Sequence, residues 1–249
     1  LRLNDSKDGQ RESYIEVDNV RIYDKALNQD EVYSLTYNDN GESHYIIDNV
    51  IGNYEFSDTS NLGKDTYNKN DLDLYNNIIL SNDTLPNGKN TIILDRTLSQ
   101  YMNIPPMIPW VRESSFSFFI KFKDLNVEET ILSFFSNTRL FKSNTNIFKF
   151  TADTSTNGYS GSVIIELNKW YHIALVTSKF YNATNFNYQR TYIYINNVLD
   201  ISATHYGSGN TSTGLWNTKN NEIYIGRNNE GTQYLSADIA DIRVDQTQY

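Results

Sequence analysis

The chain contains no cysteine. Disulfides and thiolate metal centres are therefore excluded. Secreted eukaryotic modules of this size commonly carry a disulfide, so its absence points toward a bacterial, phage or viral protein, or one assembled in a reducing compartment. No apolar run reaches the length of a membrane span, and the opening residues do not read as a signal peptide, so no membrane insertion is expected. No cluster of Lys and Arg occurs either. With 21 basic against 30 acidic residues and a net charge of −9, nucleic acid is not an expected partner. Such a surface suits cations or neutral polar ligands, or serves only solubility. Long amphipathic helices are also missing.

What the chain has is aromatic residues and turns. Its 249 residues include 19 Tyr and 12 Phe, enough for one large β domain or two small ones, and a composition that favours strands over helices. Asn, Asp, Ser, Thr and Gly runs punctuate it as turns. Strands are expected at 91–95, 100–104, 115–122, 130–136, 146–152 and 162–166, then in "KWYHIALVTS", "RTYIYINNVLDIS", "NEIYIGR" and "ADIADIRV". Ile193 and Ile195 alternate with Tyr192 and Tyr194, and Ile223 and Ile225 with Glu222 and Tyr224. This pattern predicts an all-β fold, an antiparallel two-sheet jelly-roll sandwich. Ile173, Leu175, Ile193, Ile223, Ile225 and Ile242 are its expected core. Asn196-Asn197 between two apolar runs reads as a tight hairpin, because Asn tolerates the positive φ required. Ile239 and Ile242 stand three apart in the last strand, which calls for either a bulge or partial cover on both faces.

The chain opens with "YIEVDNVRIYDKALNQDEV" and closes with "YLSADIADIRVDQTQY", strands of one type at both ends. In between, "FSFFIKFKD", "LNKWYHIALV", "RTYIYINNVLDIS", "NEIYIGRN" and "ADIADIRV" follow in order, after an opening "GNYEFSDTSNLGKDTYNKNDLDL". This series resembles a laminin G-like domain of the concanavalin A-like lectin/glucanase superfamily, over about residues 45–249. The resemblance implies a domain at 41–249, preceded at 1–40 by the closing strand and tail of a similar domain plus a linker. A chain beginning on Leu1, inside a strand-rich stretch, reads as part of something longer. Asn197 departs from the family, where Gly is usual, and the first loop lacks several family glycines. Trp170 matches a family core position and is expected to be buried.

The glucanases of the superfamily use two carboxylates across a glycosidic bond, one with its pKa raised. Their strand resembles E-x-D-x-E, but Glu16-Val17-Asp18 is followed by no second acid, and Asp238, Asp241 and Asp245 have no Glu among them. No hydrolase or other enzyme activity is expected. His172 reads as a packed histidine of the sandwich, and His44 and His205 lack a triad partner. The loop carrying Asp58, Asn61, Asp65, Asn70 and Asp71 offers oxygen ligands of the kind Ca²⁺ takes. The resemblance joins such a loop to an acid of the closing strand, which makes Asp58, Asp65, Asp71 and Asp241 the candidate calcium ligands; Lys64 and Lys69 are the alternative counter-charges. Trp216, Tyr206 and Trp110 are candidates for stacking on sugar rings, or else plug the sandwich ends. The expected role is a non-catalytic recognition module of a multidomain extracellular or virion-surface protein. Its partners would be a glycan or host-surface receptor and neighbouring subunits. A purely architectural domain of a capsid, tail or fibre is the alternative.

Overall fold

The computed structural model describes residues 50–67, 70–105, 113–134, 138–152, 158–181, 187–206 and 223–247. The chain divides into two units, Leu1–Asp48 and Asn49–Tyr249, and the described residues belong to the second. The strand expected at 13–23 lies outside them. No helix among the described residues is long and apolar enough to cross a membrane.

The architecture is an all-β sandwich of two antiparallel sheets. The first is eight-stranded and runs β13 (Val198–Tyr206), β12 (Asn187–Ile195), β11 (Trp170–Tyr181), β6 (Glu113–Phe122), β15 (Ala237–Thr247), β4 (Asn90–Leu94) and β3 (Ile79–Thr84), with β1 (Val50–Tyr54) also paired to β15. The second is seven-stranded: β10 (Tyr159–Ile164), β9 (Ile147–Thr151), β8 (Arg139–Lys142), β7 (Glu129–Ser133), β14 (Ile223–Ile225), β5 (Tyr101–Ile104) and β2 (Asp73–Tyr75).

Alternation decides which side chains enter the core. In β11, Tyr171, Ile173, Leu175 and Thr177 are buried, while Trp170, His172, Ala174 and Val176 are half-buried on the outer face. Phe116, Phe118, Ile120 and Phe122 of β6 join the same cluster as Met102, Ile104, Leu132, Phe148 and Phe150 of the second sheet. The rings of Phe122, Phe148 and Tyr171 meet at centroid distances of 5.9–6.4 Å, a separation suited to edge-to-face packing. All six expected core residues, Ile173, Leu175, Ile193, Ile223, Ile225 and Ile242, are buried. Trp170 is not. Tyr171 holds the inward position, and the Trp170 ring lies outside under Lys121 Nζ, 5.0 Å from its centroid. His172 shares that outer face and leans on Phe119, with ring centroids 4.8 Å apart. Partial burial lowers its pKa.

Two local expectations are met. Asn196 and Asn197 have φ of 51° and 67° and link the paired residues Ile195 and Val198. This is a two-residue turn with both central φ positive, the type that suits twisted hairpins. The closing strand contains a bulge: its register to β6 shifts between Ala240 and Arg243, and Asp241 has φ 51°. Before the bulge the free side of β15 pairs with β4, and after it with β1. The extra residue lets both Ile239 and Ile242 face the core.

Two polar devices tie the sandwich together. Glu129 of β7 and Lys142 of β8, both fully buried, form an ion pair at 3.1 Å. Lys142 Nζ also donates to Val127 O, and Glu129 accepts the Ser236 N–H. Burial pushes the Glu129 carboxyl above its ordinary range, against the pull of Lys142, Ser236 and Arg96. At the margin where β13 ends one sheet and β10 the other, Asp200 Oδ1 accepts the N–H groups of Ser162 and Val163 and the Ser162 hydroxyl. Tyr159 Oη donates to Thr204 O beside it.

Candidate functional site

The acidic loop between β1 and β2 is held together by its own carboxylates. Asp65 is fully buried. Its Oδ1 accepts the N–H groups of Asn53 and Tyr67, and its Oδ2 that of Asn70. Asp71 accepts the Asp65 N–H and the Asn61 amide. Asp58 accepts from Ser60 and Asn61 and pairs with Lys64 at 3.4 Å. These donors hold the Asp58 carboxyl down at about 2, the Ser60 hydroxyl contributing most. Asp241 pairs with Lys89 at 2.7 Å, and Lys89 also reaches Glu55 at 3.2 Å.

Asp58, Asp65, Asp71 and Asp241 are therefore not gathered around one point. Among the described residues no group of three or more His, Asp or Glu side chains is placed to hold a metal ion. The arrangement does not fit calcium, because main-chain N–H groups and lysines already occupy the oxygens that a cage of about six to eight ligands would need. Millimolar calcium is accordingly expected to leave the unfolding midpoint where chelator leaves it. A calcium-dependent rise, of the kind a ligand binding only the folded state produces, would restore the site. Trp110 and Trp216 lie outside the described residues. Tyr206 ends β13 opposite Tyr188, and its side chain also lies outside the description.

The described surface offers a different constellation. The same loop and strand β2 enclose an open cleft of about 490 Å³, lined by Thr59, Ser60, Asn61, Leu62, Leu72, Asp73, Leu74 and Tyr75. Its walls present hydroxyl, amide and carboxylate groups over an apolar floor. Tyr75, 37% exposed, belongs both to the cleft and to a row of tyrosines. It stacks on Tyr101 of β5 with centroids 4.3 Å apart and planes 6° from parallel. Tyr101 meets Tyr224 of β14 edge-on at 6.0 Å and Tyr234 at 6.3 Å. The Arg227 guanidinium lies over both Tyr101 and Tyr224, at 4.2 and 3.9 Å from the ring centroids.

The backbone explains the row. Tyr75 is opposite Tyr101 in the β2–β5 register, and Tyr224 is opposite Asn103 in β14–β5. Met102, Ile104, Ile223 and Ile225 turn inward to the core, so alternation places Tyr101 and Tyr224 on the outer face. The loop after β14 is braced by Asn228 Oδ1, which accepts from Thr232 and Gln233, and by Ser133 Oγ, which donates to Arg227 O. The signal available in the sequence was Tyr224 alternating with Ile223 and Ile225. The partners Tyr75 and Tyr101 become visible only once the strands are paired.

A two-sheet antiparallel sandwich of this topology is a jelly-roll architecture. The chain belongs to the concanavalin A-like lectin/glucanases superfamily: residues 95–247 match its laminin G model. Tyr101, Tyr224 and Arg227 fall inside the matched segment, and the cleft residues fall before it. Among solved structures, the chain is similar to domain 4 of AbnA, a GH43 extracellular arabinanase from Geobacillus stearothermophilus, in complex with arabinotriose. That likeness has 18% identity over 79% of this chain and 92% of that one, with a TM-score of 0.54. It is also similar to the binding domain of botulinum neurotoxin DC in complex with SialylT, at 15% identity over 82% of this chain, with a TM-score of 0.51. The match spans about half, 49%, of that neurotoxin chain. At these identities the likeness is one of fold. No curated protein matches the sequence.

Proposed function

We propose that residues 41–249 form a non-catalytic carbohydrate-binding module, part of a larger extracellular or virion-surface protein. The observation that carries this reading is Tyr75, an exposed ring rigidly stacked on Tyr101 at the rim of a cleft walled by hydroxyls and amides. A flat aromatic beside fixed polar groups matches a pyranose or furanose, which has one apolar face and a periphery of hydroxyls. Two solved folds of similar architecture, the arabinanase domain in complex with arabinotriose and the neurotoxin binding domain in complex with SialylT, support the same use here.

The acids support binding over catalysis. Basic side chains stand between carboxylates: Lys121 pairs with Asp83 and Asp238, Lys89 with Glu55 and Asp241, and Arg96 with Asp124 and Glu129. Glycoside hydrolysis needs a carboxyl held protonated beside the substrate. Glu129 does have a raised pKa, but it is sealed in the core against Lys142.

Tyr75→Ala is the direct test. Losing one stacked ring should weaken oligosaccharide binding by about 10- to 100-fold, with little change in melting temperature, because Tyr75 lies at the surface. Titration calorimetry against a glycan panel measures it. Failure to bind any saccharide, or affinity indifferent to Tyr75→Ala, would overturn the reading and leave an architectural domain.

A further inference from the structure

Arg227 differs from the other arginines whose contacts are described. Arg96 pairs with Asp124 and Glu129, Arg139 with Glu128, and Arg243 with Asp245. Arg227 has no acidic partner among the described residues. Its Nε is buried with no hydrogen-bond acceptor, and its Cζ lies 4.2 Å from the Tyr101 ring centroid and 3.9 Å from that of Tyr224. In a chain with nine more acidic than basic groups, an arginine without a carboxylate calls for an explanation.

Its surroundings keep it in place. The Arg227 carbonyl accepts from Ser133 Oγ, which pins the backbone at the base of the side chain. Two rings standing at 73° to each other both contact the guanidinium, so part of its rotamer freedom is already lost before binding. Gly231, at φ +68°, passes close by: a Cβ there would meet Arg227 Nη1 at 3.3 Å and Tyr234 Oη at 3.5 Å. Glycine thus lets the loop turn without pressing on the guanidinium edge. The acids of the same surface are Asp73, which faces the Asn103 amide at 3.4 Å, and Glu230, which is exposed on the loop.

We infer that Arg227 is the anion-recognising group of the tyrosine row, so that the saccharide taken by this site is acidic, bearing a carboxylate or a sulfate ester. The inference rests on the carbohydrate reading and narrows it. Arg227 is half-buried against two rings with no carboxylate on its guanidinium among the described residues, and a guanidinium so placed can bind carboxylate or sulfate oxygens in pairs. Tyr101 touches both Tyr75 and Arg227, so a sugar stacked at the cleft rim lies one ring away from the cation. The other charged groups of the site then act on different parts of the ligand: Asp73 and the loop amides accept and donate to hydroxyls, and the anion goes to Arg227.

Calorimetry with three oligosaccharides of matched length tests this: a neutral galactan, an oligogalacturonate and a sulfated galactan. The acidic ligands should bind about tenfold or more tightly than the neutral one. Arg227→Gln should bring the affinity for the acidic ligands down to that for the neutral one, and Arg227→Lys should retain only part of the difference. Galacturonate and sulfated ligand compared with each other identify which anion is preferred. Equal affinity of wild type for neutral and acidic ligands overturns the inference and leaves the carbohydrate reading standing. So does an acidic preference that survives in Arg227→Gln with its melting temperature unchanged. Binding to none of the three overturns the carbohydrate reading itself. The wild-type comparison needs no variant to fold.

Discussion

Lys142→Met should lower stability by about 3–5 kcal/mol at neutral pH, because removing one partner of a buried ion pair leaves an uncompensated charge. The charge left behind is Glu129, whose carboxyl is already pushed up by burial in the presence of Lys142. A carboxyl with a folded pKa above its unfolded one binds its proton more tightly when folded. Its contribution to stability is therefore full below the unfolded value, near 4.5, and is lost as pH rises through the folded value. Without Lys142 the folded value moves further up, so the loss extends to higher pH. The deficit of the variant relative to wild type should thus be largest at neutral pH and shrink as pH falls toward about 5. Comparing both proteins at each pH cancels the other titrating groups. Glu129→Gln combined with Lys142→Met should recover much of the deficit, since a neutral amide has far less to lose by desolvation. Urea unfolding at pH 5 and 7.5 is the measurement. A deficit independent of pH, or a double variant no better than the single one, would contradict a charge-based account.

The second large effect concerns the loop that builds the cleft. Asp65→Ala should cost about 3 kcal/mol, since three part-buried N–H groups lose a charged acceptor and each unmade bond of a buried group costs about 1–3 kcal/mol, with partial relief as water enters. The groups are those of Asn53, Tyr67 and Asn70. They tie the loop to β1 on one side and to the approach to β2 on the other. Saccharide binding should fall as well, although Asp65 is fully buried and lines neither the cleft nor the tyrosine row. Amide hydrogen exchange checks the cause: protection should drop at those N–H groups and stay unchanged in β6 and β11. Uniform loss of protection across the sandwich would mean that Asp65 supports the whole fold and not the loop.

The core was readable because it rests on parity. Ile173 and Leu175 mark the inward face of β11, and Ile193 marks that of β12, with no knowledge of which strands are neighbours. The same parity contradicts the burial expected of Trp170. Trp170 shares its face with His172 and lies opposite Ile173, so the alternation within "KWYHIALV" already assigned the inward place to Tyr171. The family position overrode a local rule that was correct. The three-residue step from Ile239 to Ile242 was equally informative, because only an inserted residue lets both reach one core from a single strand.

The site was readable in part. The acidic loop between β1 and β2 stands out in the sequence, but composition alone does not give the partners of its carboxylates. Aspartates that accept main-chain N–H bonds and aspartates that hold a cation have the same letters. What separates them is the direction of each N–H, which depends on turns no single sequence displays. The tyrosine row is less legible still. Its members come from β2, β5 and β14, strands far apart in the chain, and Arg227 joins them only because the loop after β14 folds back over Tyr101.

The staple at Asp200 gives the sandwich a bound side and an open side, like a book. On the bound side, the N–H groups of β10 at Ser162 and Val163 are occupied by a carboxylate, so these two donors are not offered to an incoming strand. On the open side stand β3 and β2, and beside β2 lies the cleft. Strand addition is thus hindered where Asp200 sits, at the margin opposite the one beside the proposed saccharide cleft.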